Sequence, residues 1–158
     1  MSHVMRPAEA GDIAAIAAIA EGSGMFGAEE VAFLRDLATS DLAAAEGDRV
    51  WFLAIGPDGR AVGAGYLAPE PFQGDVCNLL FLAVLPAFRG TGAGRALVRH
   101  AADLSRAGGA RLLLIETNAA AQFAPARALY GSEGFTVDGQ VRDYYAPGED
   151  KVIFRLSL

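Results

Sequence analysis

Apolar and polar positions recur with two different periods along this chain, and the switches between them mark out its elements. Val4 and Met5 make a short apolar start that predicts a strand, before Pro7, Gly11 and Asp12 interrupt it. The run IAAIAAIA then sets Ile13, Ile16 and Ile19 along one helical face, with Asp12 expected as the N-cap. The segment from Gly22 to Gly27 breaks that helix, and AEEVAFLRDLATSDLAAA resumes the helical period through Val31, Leu34, Leu37 and Leu42. VWFLAI, from Val50 to Ile55, predicts a buried strand, PDGR a tight turn and AVGAGYL the returning strand of an antiparallel hairpin.

The segment APEPFQGD is expected to be a loop leading into NLLFLAV, Asn78 to Val84, a continuous apolar run of the kind a central strand shows when both its faces are covered. A glycine-rich turn follows. From Arg95 to Arg106, Leu97, Ala101 and Leu104 form an apolar stripe that Gly108 and Gly109 terminate, and RLLLIE, Arg111 to Glu116, predicts a second buried strand. Strand, helix and strand at this spacing make a βαβ unit, so the two strands should be parallel. Pro125 opens a short helix that Gly134 stops; two last strands, around FTVDGQV and KVIFRLSL, enclose an expected loop RDYYAPGED. No internal repeat or linker divides the chain, and a single domain over residues 1–158 is the expectation.

Composition narrows the function. Against 19 acidic residues stand 13 basic ones, a formal charge of −6, and Lys151 is the only lysine. A nucleic acid or an anionic membrane surface needs clustered cations, so neither is an expected partner. The longest apolar stretch, Leu79 to Phe88, is short of the roughly 20 residues that a bilayer span requires. Cys77 is the only cysteine, which removes disulfide frameworks and cysteine zinc sites and suits a reducing cytoplasm. His3 and His100 show no metal-ligand spacing, and no metal is expected.

The chemistry concentrates in Arg89-Gly90-Thr91-Gly92-Ala93-Gly94, directly after a buried strand and directly before an amphipathic helix. Glycines there let successive backbone N–H groups converge, and the helix N-terminus adds its positive end, so the turn can take a diphosphate without lysine or metal. It is not a nucleotide-triphosphate loop, because Arg95-Ala96 follows where Lys-Ser/Thr is required, and it lacks the third glycine of a dinucleotide fingerprint.

This turn, with Leu129-Tyr130 and Gly134-Phe135 downstream and the same order of elements, resembles the GNAT superfamily of acetyl-CoA-dependent N-acetyltransferases over nearly the whole chain. The resemblance implies an α/β (α+β) fold, with a mixed, mostly antiparallel central sheet containing one splayed parallel pair and flanked by helices. It implies acetyl-CoA as co-substrate, with its pantetheine arm on the backbone of Leu82, Ala83 and Val84 and its diphosphate on the amides of Arg89, Gly90, Thr91, Gly92, Ala93 and Gly94. The Thr91 hydroxyl and Arg127 are expected to add contacts. Tyr130 matches the tyrosine that protonates the departing thiolate.

Two departures stand out. Phe123 occupies the place of an asparagine that contacts pantetheine, leaving Asn118 as its expected replacement. Asn78 occupies the place of an acidic general base, and because an amide cannot take a proton at neutral pH, Glu116 is the first candidate for that role, followed by Asp75 and Glu70. Phe26, Asn78, Tyr144 and Tyr145 are expected around the acceptor, with Glu29, Glu30, Asp143, Glu149 and Asp150 attracting a cationic amine. The function implied is acetyl transfer to a primary amine of a small molecule or peptide. An inactive acyl-CoA sensor is the alternative, and a longer acyl group or a hydroxyl acceptor a third reading. Family members are often dimers, so a homodimer is among the partners the resemblance allows, and the sequence does not reveal the oligomeric state.

Overall fold

The computed structural model describes residues 2–44 and 46–158. Seven strands form one sheet in the order β1-β2-β3-β4-β5-β7-β6: β1 Val4–Pro7, β2 Val50–Ile55, β3 Ala61–Glu70, β4 Gln73–Val84, β5 Leu112–Asn118, β6 Thr136–Ala146 and β7 Glu149–Ser157. Every neighbouring pair is antiparallel except β4 and β5, as the βαβ reading requires. Four helices flank it: α1 Ile13–Gly22, α2 Ala28–Ala43, α3 Ala93–Ala107 and α4 Ala124–Ser132.

The sheet carries a core on each face. Ile16, Ile19 and Ala20 of α1 and Leu34 and Ala38 of α2 pack with Trp51, Leu53, Tyr66 and Phe81. On the other face Leu97, Val98 and Ala101 of α3 and Tyr130 of α4 pack with Phe52, Leu79, Leu113, Ile115 and Phe154. Glu133, at the end of α4, receives Arg95 at 3.1 Å and Arg99 at 2.7 Å from α3, which fastens those two helices together.

Four local expectations are corrected. Asp12 stands at the N-cap position of α1 as expected, but its side chain makes no cap bond; its carboxylate takes both guanidinium nitrogens of Arg6, at 2.7 and 2.8 Å, and the Glu9 amide at 2.8 Å. The segment APEPFQGD is not a loop: β3 and β4 run through it and turn at Pro71 and Phe72. RDYYAPGED is likewise mostly strand, with Tyr144 and Tyr145 in β6 and the turn at Pro147 and Gly148. In each case ladder hydrogen bonds outweigh local turn propensity. The run Asn78 to Val84 is not covered throughout, since Leu80 is 55% exposed in the middle of a central strand.

Candidate active site

That exposed leucine marks the point where the sheet opens. β4 pairs with β5 from Val76 opposite Leu112 to Leu79 opposite Ile115, and there the pairing ends. On its other side β4 continues against β3, but the register passes from Leu79 opposite Leu67 to Phe81 opposite Tyr66, so Leu80 is the extra residue of a β-bulge. A bulge bends its strand. Beyond it Leu82 to Val84 hold only β3, Glu116 to Asn118 hold only β7, and a wedge separates the carboxyl ends of the two parallel strands.

The glycine turn closes one end of this wedge. Gly90 has φ 76° and Gly92 has φ 92°, the left-handed region that other residues avoid. Within the turn the amides of Arg89 and Thr91 are used, reaching the carbonyls of Pro86 and Phe88 at 3.2 and 3.3 Å. The amides of Gly90, Gly92, Ala93, Gly94 and Arg95 find no acceptor among the described residues. Four of these belong to the N-cap and first turn of α3, where helix geometry leaves N–H groups without partners and aligns their dipoles. Five donors around one helix end fit a diphosphate.

Tyr130 is fixed by the way α4 ends. The Phe135 amide reaches back to the Tyr130 carbonyl at 3.1 Å and the Gly134 amide to the Gly131 carbonyl at 3.2 Å, with Gly134 at φ 91°. This paired closure also brings the Phe135 ring to 6.2 Å from that of Tyr130, so the LY and GF pairs of the sequence are two halves of one helix stop. The Tyr130 ring packs edge-on to Phe154 at 5.5 Å, and burial pushes its phenol up to about 12. Its hydroxyl bonds to no protein group, and it is not among the enclosed unpaired atoms, which for the described residues are His3 Nδ1 and Asn78 Oδ1.

Across the sheet from α3 and α4, β5 and β7 present charge. Glu116 stands opposite Ile153 and Asn118 opposite Lys151, so Glu116 and Lys151 are diagonal neighbours on one face. Lys151 Nζ lies 2.8 Å from Glu116 Oε2 and 4.0 Å from the centre of the Tyr144 ring. Burial raises the Tyr145 phenol; Lys151 lowers it, and Glu116, Tyr144 and Glu30 of α2 raise it further. Tyr145 in turn raises Tyr130. Tyr145, carried by β6, thus lies within electrostatic reach of Glu30 at the start of α2, of Glu116 and of Tyr130.

A family model of the acetyltransferase (GNAT) family matches residues 13–135. The chain belongs to this family. It is an acyltransferase, and the family uses acetyl-CoA. Among solved structures, a GNAT-family protein from Desulfovibrio desulfuricans is 28% identical, with a TM-score of 0.91 and 99% of each chain covered. The ribosomal-protein-S18-alanine N-acetyltransferase of Escherichia coli is 26% identical, with a TM-score of 0.78 and 99% and 94% covered. A Salmonella typhimurium structure that contains acetyl-CoA shares the fold at 20% identity, with a TM-score of 0.75 and 100% and 95% covered. No curated protein matches the chain in sequence.

In this GNAT protein several residues expected at the cofactor also make contacts within the protein. The Thr91 hydroxyl donates to the Phe88 carbonyl at 2.6 Å and meets His3 Nε2 at 3.0 Å, so it shapes the turn and is not free to reach a phosphate. The Arg89 guanidinium donates to the Ser23 carbonyl, tying the turn to the end of α1. Arg127 donates to the carbonyls of Asn118 and Ala120 at 2.8 and 2.9 Å, bracing the end of β5, where a ligand contact was expected. Asn118 spends its Oδ1 on the Ala120 amide at 2.8 Å. Gly94 has ordinary backbone, and an added Cβ would meet Leu129 Cδ2 at 3.2 Å, so its smallness serves helix packing.

On the acceptor side, Asn78 is 3% exposed and donates to Glu70 Oε1 at 2.8 Å, enclosed where a substrate contact was expected. Asp75 pairs with Arg111 at 2.8 Å, and hydrogen bonds from Gln73 and Arg111 hold its carboxyl below the ordinary range. It lies at the opposite end of β4 from the turn, about 30 Å of strand away. Phe26 packs on Phe81 at 5.3 Å. Sequence reasoning missed Leu80, whose bulge is a matter of strand register, and Lys151, whose partner Glu116 is 35 positions away and becomes a neighbour only through the β5–β7 ladder.

Proposed function

We propose that the protein transfers the acetyl group of acetyl-CoA to a primary amine of a small molecule or peptide, by direct attack within a ternary complex. The observation that carries this reading is the coincidence of the opened β4–β5 wedge with five unpaired amides at its end. The Escherichia coli neighbour, named as a ribosomal-protein-S18-alanine N-acetyltransferase, supports a peptide or protein amine as one form of substrate.

The backbone of Leu82 to Val84 holds the pantetheine arm, and the amides of Gly90 and Gly92 to Arg95 hold the diphosphate. Amines are mostly protonated at pH 7, and Glu116, directly or through a water, removes the proton that blocks attack. Tyr130 presents its hydroxyl to the departing sulfur. Burial pushes the phenol up to about 12, so Tyr130 keeps its proton at neutral pH and can donate it to the departing thiolate as negative charge develops on the sulfur. The free thiol of Cys77 is consistent with work in a reducing cytoplasm.

The test is free-thiol release from acetyl-CoA against amines, amino acids and peptides, run beside calorimetric CoA binding. Acceptor-dependent release establishes the reaction and its substrate class. Tight binding without release on any acceptor favours the sensor reading, and absence of CoA binding overturns both.

A further inference from the structure

Lys151 is the only lysine in a chain that otherwise uses arginine for its cations, and it sits beside the carboxylate on which acceptor activation depends. Its side chain is 11% exposed and that of Glu116 26%, so the pair lies largely out of bulk water. The arginine pairs elsewhere in the molecule show what a guanidinium does to a carboxylate. Arg6 takes both oxygens of Asp12, at 2.7 and 2.8 Å, and Arg99 takes both oxygens of Glu133, at 2.7 and 3.3 Å. A planar fork occupies the whole acceptor edge, whereas an ammonium is a point donor on a flexible stem. Lys151 meets Oε2 alone, with its remaining cationic face on the Tyr144 ring, and Glu116 Oε1 has no partner among the described residues.

Resting on Glu116 as the proton acceptor, we propose that Lys151 is a positioning residue for acetyl transfer: it anchors the Glu116 carboxylate through Oε2 and leaves Oε1 open to receive the proton of the acceptor amine. The anchoring cation also offsets the other negative charge at this locus. Glu30 of α2 and Glu116 both act on Tyr145, and Tyr144 and Tyr145 of β6 supply the neutral walls. Without Lys151 the carboxylate loses its anchor and is free to rotate.

The test uses Lys151→Met, Lys151→Arg and Glu116→Gln, each checked for an intact thermal transition, with plateau kcat and the KM of acetyl-CoA measured on the best amine acceptor. Lys151→Met removes the cation and keeps the stem, so plateau kcat should fall about tenfold or more while the KM of acetyl-CoA stays within about twofold. Lys151→Arg keeps the charge and lets a fork close on both oxygens, so its plateau kcat should fall about tenfold or more as well. A wild-type plateau in either variant, or a fall that comes with an equal rise in the KM of acetyl-CoA, overturns the inference when Glu116→Gln is inactive. Wild-type turnover in Glu116→Gln instead defeats the assignment of Glu116 as proton acceptor, a separate failure. If Lys151→Met does not fold, the plateau of Lys151→Arg decides alone.

Discussion

Replacing Gly92 by alanine tests the phosphate turn through a single backbone dihedral. An added Cβ meets nothing within 4 Å, so no steric clash enters; the cost comes from φ at 92°, where an L side chain is strained by about 1–2 kcal/mol. For a chain of 158 residues each kcal/mol lowers Tm by about 2–4 °C, which gives an expected fall of about 2–8 °C. If the backbone relaxes to negative φ instead, the amides of Gly92 and Ala93 rotate away from their common focus, and CoA binding should weaken by about tenfold or more, the worth of one charge-assisted hydrogen bond. Gly94→Ala is the control. Its φ is ordinary, and about 1 kcal/mol of helix propensity offsets the crowding against Leu129, so its Tm should stay within about 2 °C of wild type. Scanning calorimetry and titration calorimetry with CoA read both quantities. A Gly92→Ala protein with wild-type Tm and wild-type CoA affinity would refute the left-handed cap as the element that shapes the turn.

Tyr130→Phe should lower kcat by about 10²-fold with little change in melting, because the lost hydroxyl has no protein partner; equal rates on an acetyl-CoA assay would remove the tyrosine from the mechanism. Burial raises the phenols of Tyr130 and Tyr66 to about 12, so the stability they confer is complete below pH 10, the unfolded value, and is lost as pH rises toward 12. For Tyr130 that loss is about 3 kcal/mol, and melts between pH 9 and 12 should fall less steeply in Tyr130→Phe than in wild type. Arg127→Ala removes two bonds from a charged donor to the carbonyls of Asn118 and Ala120, and should lower Tm by several degrees and raise KM for the acceptor. A wild-type KM in that variant would show that the end of β5 needs no bracing for substrate binding.

The order of elements was legible in the sequence because it follows from periodicity. Ile16 and Ile19, the run from Val50 to Ile55 and the stripe of α3 each bury a face whose spacing announces its geometry. The glycine turn and the LY and GF pairs were legible for a related reason: left-handed φ at Gly90, Gly92 and Gly134 restricts residue type locally, so glycine leaves a visible mark. Hairpin ends were less legible. Pro69, Pro71 and Gly74 read as loop, yet the ladder between β3 and β4 carries strand conformation through them to a two-residue turn.

The linear chain thus determined the order of helices and strands, that the central pair is parallel, and where the glycine turn falls, because those depend on neighbours a few residues apart. Tertiary structure decided which side chains remain free to act. Thr91, Arg89 and Arg127 had the right chemistry for a ligand, and packing placed the carbonyls of Phe88, Ser23, Asn118 and Ala120 within their reach, so each also makes a contact inside the protein. The bulge at Leu80 and the meeting of Glu116 with Lys151 arise from strand register, which pairs residues distant in sequence. Register is set by how whole faces of the sheet bury themselves, and no local pattern around either residue records it.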